Sequence, residues 1–446
     1  MIPMSSIRAD GFREEFGGSQ KALSRQLLVI SLTGFLVGYH LMPNQWIQLA
    51  WMGITLTPVI ARGLIALQWR DMVGNGFMRS MVLFLGYMTL RSVVEPPYEV
   101  SAQPLEVLNW LLGTAMLGAF AVLSWCTARI ERGLWQSGFW MGLAGALAAV
   151  TSIAVFYFLL PEHVMGERLA NWCVYGGLNA VCTGLCFGFS AAWLACLHAE
   201  MVRPSNRALV AVAHGVLVAG VFFTACRGAL ISLALAHVAL CMSRGWRKSR
   251  VPVLVLVGVV ACLQFLAPAI SDASRWYHST VRRQQSPAPA VVRNPVREFV
   301  ERQDSGRFGI YRAGMASLGK PTEIIFGLGQ WGTDERWERL LHWKVEHLHS
   351  VFLATFIHGG VVGLVLLGLV LWRGFRSAAW LAKQGRETWI VVLVFGCSGL
   401  VFDGQTLTSL LSVPRMEPLL VWFPMVVAAS LEAALKSRMF HPGEVA

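Results

Sequence analysis

The stretch VPVLVLVGVVACLQFLAP, residues 251–268, carries no charged side chain and a single polar one, Gln264. A helix of roughly 18 or more apolar residues can cross the hydrocarbon core of a bilayer, which is about 30 Å thick. Lipid offers the backbone no hydrogen-bonding partner, so a continuous run of this length predicts a helix, whereas a barrel strand would alternate over about ten residues. Similar stretches recur from Leu27 to the C-terminus. The sequence therefore predicts an all-α polytopic membrane protein.

Composition agrees with this fold class. The 446 residues are 55% hydrophobic and 14% charged, with a mean hydropathy of +0.55, whereas charged residues make up about a quarter of a soluble domain. The apolar stretches predict about twelve transmembrane helices. Their approximate bounds are 25–42, 46–68, 76–94, 107–127, 134–160, 172–198, 207–224, 227–243, 251–268, 350–372, 388–403 and 417–435.

Basic residues set the predicted orientation. With a cytoplasmic N-terminus, the cytoplasmic ends of the spans hold 20 of the 37 Lys and Arg residues, while the short outer loops hold Arg91, Arg168, Arg227 and Arg415. This asymmetry follows the positive-inside rule and places both termini in the cytoplasm. It divides the chain into residues 1–267 with spans one to nine, residues 268–349 as a large extracytoplasmic loop with short helices, and residues 350–446 with spans ten to twelve.

The net charge of +12 does not indicate nucleic-acid binding, because the basic residues mostly lie in short loops where they act as topology signals. The expected environment is a lipid bilayer. The nine cysteines lie in or beside apolar segments, so no disulfide framework is predicted. The basic, polar N-terminal stretch is followed by no small-residue cleavage site, which favours an uncleaved start over a signal peptide.

The extracytoplasmic loop concentrates twelve further basic residues between Pro268 and Ser350. A loop of this length is more often functional or disordered than a mere connector, and its scattered aromatic residues favour order. We predict a flexible stretch at Ser286–Pro295, a helix around Arg307–Leu318 and a glycine-rich turn at Gly327–Gly329.

His349 lies at the outer boundary of span ten. A histidine there is suited to proton transfer near neutral pH, although a boundary histidine often simply tolerates the interface. His347 points to a different helix face, and the spacing to His358 does not match a zinc site, which needs three or four convergent ligands. His358 could equally be a hydrogen-bonded packing residue. No metal and no other cofactor is predicted.

Four arginines are candidate substrate-binding residues on the same side of the membrane: Arg91, Arg227, Arg307 and Arg312. Each could instead be a snorkelling or solvated cation. Together with His349 they form a predicted cationic cluster, and planar guanidinium groups bind phosphates in bidentate fashion. Such a cluster suits a lipid-linked pyrophosphate, with the arginines stabilising the leaving group and the histidine activating an acceptor hydroxyl. The outer acidic residues are scattered, and Asp403 is the first of them to check.

Three motifs then occur in order. Thr224–Leu230 resembles a Ser-Arg-Gly-Ala segment with Cys226 in place of serine. Arg307–Tyr311, followed by Pro321 and Gly327–Gly329, resembles an Arg-x-x-Ile-Trp…Pro…Gly-x-Gly run with Tyr311 in place of tryptophan. His349–Leu353, followed by Gly360 and Gly363, resembles a His-Asn-x-x-Leu…Gly-x-x-Gly signature with Ser350 in place of asparagine. This order resembles the O-antigen ligase and polymerase superfamily of bacterial envelope glycosyltransferases, over about Ala208–Leu371.

The resemblance implies a GT-C type membrane fold, a periplasmic site at the bacterial inner membrane and metal-independent, inverting glycosyl transfer. Arg227 and Arg307 would bind the pyrophosphate and His349 would be catalytic. The donor would be an undecaprenyl-pyrophosphate-linked glycan, and the acceptor of a ligase would be the lipid A–core. The rival within the family is an O-antigen polymerase, which shares the donor. A transporter of a lipid-linked anion is the rival from another class, and the lack of an internal repeat weighs against it.

Overall fold

Helices occupy the positions of all twelve predicted spans. The computed structural model describes residues 19–42, 45–61, 71–94, 104–159, 168–174, 179–201, 203–281, 306–330, 333–342, 348–404, 407–408 and 416–440. The helices before the large loop are α1 (Ser19–Leu41), α2 (Gln45–Ala61), α3 (Gly76–Val94), α4 (Pro104–Ala128), α5 (Glu131–Ala154, continued by a π-helical turn Val155–Leu159), α6 (Ala180–Glu200), α7 (Pro204–Phe223), α8 (Arg227–Arg244) and α9 (Trp246–Trp276, continued by a π-helical turn Tyr277–Val281). Those after it are α13 (Val351–Lys383), α14 (Thr388–Phe402) and α15 (Phe423–Phe440, preceded by a π-helical turn Pro418–Trp422).

Seven of these helices, within the part of the chain described, are long and apolar enough to cross a membrane. They are Val107–Ala128, Glu131–Leu159, Ala180–Glu200, Pro204–Phe223, Trp246–Trp276, Val351–Lys383 and Pro418–Ser437, and α14 is a shorter apolar helix. Every regular element of the described residues is helical, which confirms the all-α polytopic class. A full count of twelve crossings stays a prediction.

Several span ends differ from the sequence prediction, among them the end of α13, which continues to Lys383 instead of ending near residue 372. Helix α6 begins at Ala180 and not near residue 172, because the Asn179 side chain accepts hydrogen bonds from the backbone N–H groups of Val181 and Cys182 and so caps the helix there. Helix α9 continues through Pro268 to Trp276. Proline is tolerated inside membrane helices, so the helix does not end at Pro268.

Helix α6 lies at the centre of the bundle and packs against α5, α7, α8 and α14. Most of its apolar span, 89%, is buried, whereas only 11% of the span of α9 is buried. Small residues on α6, among them Ala191, Ala192 and Ala195, are fully or almost fully buried and let neighbouring helices approach closely. Helix α9 therefore lies at the edge of the bundle with its apolar side chains facing outward, as expected for contact with lipid.

The segment between α9 and α13 contains three short helices: α10 (Arg307–Ala316), α11 (Pro321–Phe326) and α12 (Thr333–Leu341). The predicted helix around Arg307 and the predicted turn at Gly327–Gly329 are both confirmed. A small core of Ile310, Leu328, Trp337, Leu348, Ala354 and Ile357 joins this segment to α13. The flexible stretch predicted at 286–295 lies outside the described residues.

Helix α13 is interrupted at Gly360, whose φ of 63° lies in the left-handed region. The interruption exposes two carbonyl groups of α13, and the turn after α11 pairs with them. Leu328 N–H donates to Ile357 O at 2.8 Å, and Gly329 N–H donates to His358 O at 2.9 Å. A Cβ atom at position 360 would lie 2.3 Å from Ile325 O. Gly360 is therefore required both for the bend and for the close approach of α11.

Candidate active site

His349 is the residue immediately before the N-cap of α13. Its backbone lies in the left-handed region, with φ of 51°, which is uncommon outside glycine but which asparagine, aspartate and histidine adopt more often than other residues. The next residue, Ser350, caps the helix, with its hydroxyl accepting from Leu353 N–H at 3.5 Å. Tyr311 of α10 donates its hydroxyl proton to His349 O at 3.2 Å. The serine at position 350 thus begins the helix directly after the histidine. Contacts with α10 and α13 hold His349 at one end of the bundle, which we call the site end.

Asp403 contacts the imidazole of His349. Its Oδ1 lies 3.1 Å from His349 Nδ1, and its side chain is only 2% exposed while that of His349 is 32% exposed. Asp403 directly follows α14. An ionised carboxylate can only accept a hydrogen bond, so the contact assigns the proton of the neutral ring to Nδ1 and the lone pair to Nε2. The pair has the geometry of a base with an orienting carboxylate.

Arg227 is the first residue of α8, directly after the tight reversal Thr224–Cys226 that joins α7 to α8. In the reversal, Ala225 has a φ of 47° and the Thr224 hydroxyl accepts from Cys226 N–H at 3.2 Å. Gly228 lies against the end of α14: a Cβ there would come within 3.0 Å of Phe402 Cβ. The glycine after the arginine therefore lets α8 approach α14 closely, which places Arg227 beside the residue that precedes Asp403.

A cavity of about 70 Å³ lies where these elements meet. Three arginines and one carboxylate line it: Arg168, Arg227, Arg307 and Asp403. Because a cavity needs only about 10–15 Å³ to hold one water molecule, this space admits a small polar group. Three cations against one carboxylate favour an anion, and guanidinium groups match the geometry of phosphate. Asp403 thus faces both the histidine and the arginine-lined cavity.

Arg307 opens α10, after Gly306 in the left-handed conformation. One turn later, burial raises the pKa of the Tyr311 hydroxyl, an effect that Arg307 opposes and Asp403 reinforces. Tyr311 therefore keeps its proton at neutral pH and remains a donor to the His349 carbonyl. Arg307 and Asp403 line the same cavity.

Arg91 and Arg312 are placed differently from the cavity-lining arginines. Arg91 donates from Nε to Phe326 O at 3.0 Å and from Nη2 to Gly327 O at 2.7 Å, and the nearby Tyr87 hydroxyl donates to Phe326 O and Gly359 O. Arg91 thus holds the C-terminal end of α11. Arg312 is exposed on α10. The expected five-residue cluster is brought together in part: His349, Arg227 and Arg307 meet around Asp403.

Two residues that line the cavity or contact the histidine had no role assigned from the sequence. The sequence indicates Asp403 only as an outer acidic residue and Arg168 only as a short-loop cation. Arg168 donates from Nε to Thr224 O at 2.7 Å, so it also supports the α7–α8 reversal. His358 is buried and stacks on Trp337, with ring centroids 6.1 Å apart, which suits a packing role. His347 lies outside the described residues.

Part of the chain matches the model of a known protein family. Residues 212–368 match the family model described as O-antigen ligase. This stretch of the chain is similar to O-antigen ligases. It runs from α7 to α13 and contains Arg227, Arg307, Arg312 and His349, while Arg91, Arg168 and Asp403 lie outside it. No curated protein matches the chain.

The match confirms the resemblance read from the motifs and supports a function of the O-antigen ligase or polymerase type. Members of this superfamily are glycosyltransferase-like membrane proteins, and lipid-linked glycans are the substrates that the family suggests. The matched stretch supplies the histidine and two of the cavity arginines. The remaining parts of the site, Asp403 and Arg168, come from sequence on either side of it.

Proposed function

We propose that this protein is an O-antigen ligase that transfers a polysaccharide from undecaprenyl pyrophosphate to a sugar hydroxyl of the lipid A–core. The observation that carries the proposal is the contact between His349 Nδ1 and Asp403 Oδ1 at 3.1 Å, beside a cavity lined by three arginines. The pair of His349 and Asp403 suits an acceptor hydroxyl that must lose a proton. The arginine-lined cavity suits a leaving group that carries two phosphates.

In the proposed reaction, His349 Nε2 accepts the proton of the acceptor hydroxyl while that oxygen attacks the anomeric carbon of the donor sugar. The bond from this carbon to the pyrophosphate oxygen breaks, so the configuration at the carbon inverts. Asp403 holds the ring and stabilises the imidazolium as it forms. Arg227, Arg307 and Arg168 stabilise the negative charge that develops on undecaprenyl pyrophosphate.

The experiment is complementation of a Gram-negative strain that lacks its own ligase, followed by gel analysis of its lipopolysaccharide. Long-chain lipopolysaccharide restored by the wild-type chain and abolished by His349→Asn, with lipid-linked O-antigen still present, is the expected result. A second strain retains its own ligase but lacks its polymerase, so that its lipid A–core carries a single repeat. If this protein converted that product to a ladder, the protein would be a polymerase instead. Undiminished ladders with His349→Asn would remove this residue from the mechanism.

The proposed setting is the bacterial inner membrane, with twelve crossings in a GT-C type arrangement, both termini in the cytoplasm and the site in the periplasm. The excess of basic residues at the end of the bundle opposite His349 supports this orientation. Alkaline phosphatase fusions should be active when joined after Ala316 and inactive when joined after Lys383. The reverse pattern would invert the topology.

A further inference from the structure

A second basic cleft lies at the far end of the bundle from His349. It has a volume of about 390 Å³ and lies between the start of α3, the second half of α13 and the end of α15. Arg373 is 22 residues after the start of α13, which would be about 33 Å along an unbroken helix and is somewhat less across the bend at Gly360. That length matches the hydrocarbon thickness of a bilayer, about 30 Å. The cleft is therefore at the opposite membrane boundary and is separate from the candidate active site.

Basic side chains dominate the lining of this cleft. Arg373, Arg376 and Lys436 line it together with one carboxylate, Glu432, which gives a net formal charge of +2 by that count. Lys436 Nζ lies 2.6 Å from Glu432 Oε1, and the Ser377 hydroxyl donates to Glu432 Oε2. The carboxylate is thus held by its lysine and serine, which leaves the two arginines to set the local potential.

The two arginines are arranged around an apolar wall. Arg373 donates to Gly76 O, and since a guanidinium has five N–H donors, this bond leaves capacity for a further acceptor. The Arg376 guanidinium lies 5.8 Å from the ring centre of Trp372, whose side chain is 58% exposed. Trp372 and Phe77 line the same cleft. Tryptophan at this depth is typical of residues that meet lipid headgroups.

We propose that this cleft binds the headgroup of an anionic phospholipid. The phosphate would lie between Arg373 and Arg376, and the acyl chains would pass beside Trp372 and Phe77 into the bilayer. A soluble phosphate compound fits less well, because the cleft combines its cations with an apolar wall at the membrane boundary. Basic pockets between helices on the cytoplasmic side bind such headgroups in other membrane proteins. The occupant would join α3, α13 and α15.

The test is native mass spectrometry of the purified full-length protein titrated with phosphatidylglycerol or with phosphatidylcholine. The wild type should retain phosphatidylglycerol in preference to phosphatidylcholine. The triple variant Arg373→Gln, Arg376→Gln, Lys436→Gln should lose at least about 25-fold in affinity, because each of the two arginines near an anionic lipid contributes about fivefold. Glycerol 1-phosphate should fail to displace the lipid.

The matched control removes the same charge elsewhere at the same end. Arg247, Lys248 and Arg250 are exposed near the start of α9, and their triple glutamine variant should bind phosphatidylglycerol as the wild type does. Three results would each overturn the proposal. They are an equal loss of phosphatidylglycerol affinity in the two triple variants, equal retention of phosphatidylglycerol and phosphatidylcholine by the wild type, and displacement of the lipid by glycerol 1-phosphate. If the cleft triple variant does not fold, Arg376→Gln alone should weaken binding about fivefold, and unchanged binding would also overturn it.

Discussion

Two groups of arginines, at opposite ends of the helical bundle, have different roles. At the end opposite His349, Arg244 joins Glu200 and Glu387, and Arg386 binds the two carboxylate oxygens of Glu131 at 3.0 and 3.1 Å. At the site end, Arg168, Arg227 and Arg307 converge on a cavity in which Asp403 is the one carboxylate among the lining residues. Carboxylates on neighbouring helices make an arginine a link between helices, whereas a surplus of arginines around a cavity makes an anion site.

The largest expected effect at the site end is that of His349→Asn. Asparagine tolerates the left-handed backbone at position 349 but cannot act as a base. Because a positioned general base contributes about 10²–10⁴-fold, we expect the rate of glycan transfer to fall by about 10³-fold. The measurement is transfer from a lipid-linked donor to lipid A–core in proteoliposomes.

His342→Asn is the matched control, since His342 is exposed and also has a positive φ, 60°. It should leave the transfer rate within about twofold of the wild type, as is usual for surface substitutions of small energetic effect. A similar loss in both variants would mean that the backbone turn, and not the imidazole, limits the rate.

At the opposite end, Arg244→Gln should affect stability and leave the chemistry unchanged. Its side chain is 6% exposed and that of Glu387 is 4% exposed, and removing one partner of a buried pair costs about 3–5 kcal/mol. Thermal unfolding in detergent should show the loss, while activity per folded molecule stays at the wild-type level. The exposed Arg247→Gln is the control. A drop in activity per folded molecule would mean that Arg244 also contributes to the reaction, and not only to the link between helices.

Asp403→Asn should slow transfer by about a hundredfold, because the amide no longer stabilises the imidazolium by its charge. Asp403 also lines the arginine cavity, so loss of its negative charge should leave the KM for the anionic donor unchanged or lower. A fall in kcat with this KM pattern identifies a positioning residue. A raised KM with an unchanged kcat would instead place Asp403 in substrate binding alone.

The smallest effect expected is that of Arg227→Lys and Arg307→Lys, which keep the charge and lose the bidentate fork. Each should raise the donor KM about tenfold, which corresponds to about 1.4 kcal/mol. Arg312→Lys, on the same helix as Arg307 and exposed, should change the KM less than either. An equal rise in the donor KM for Arg312→Lys would mean that Arg312 also binds the donor.

Much of the fold follows from the sequence because runs of apolar residues decide where helices form in lipid. Helix ends are less predictable: the Asn179 side chain caps α6, α9 passes through Pro268, and α13 continues to Lys383. The motifs located His349, Arg227 and Arg307. They could not locate Asp403, which is 54 residues from its histidine partner and outside the matched domain, nor Arg168, whose contact with Thr224 spans 56 residues.

The break in α13 at Gly360 has a consequence for the order in which the protein assembles. Its two exposed carbonyls hold the turn after α11, and Tyr87 and Arg91 of α3 hold the same turn from the other side. These partners are separated by up to 272 residues of chain. The turn can dock only after a helix from the first part of the chain and one from the last part are both in place. We therefore expect the site to mature at the final stage of biogenesis, with the amides of Leu328 and Gly329 becoming protected from hydrogen exchange only then.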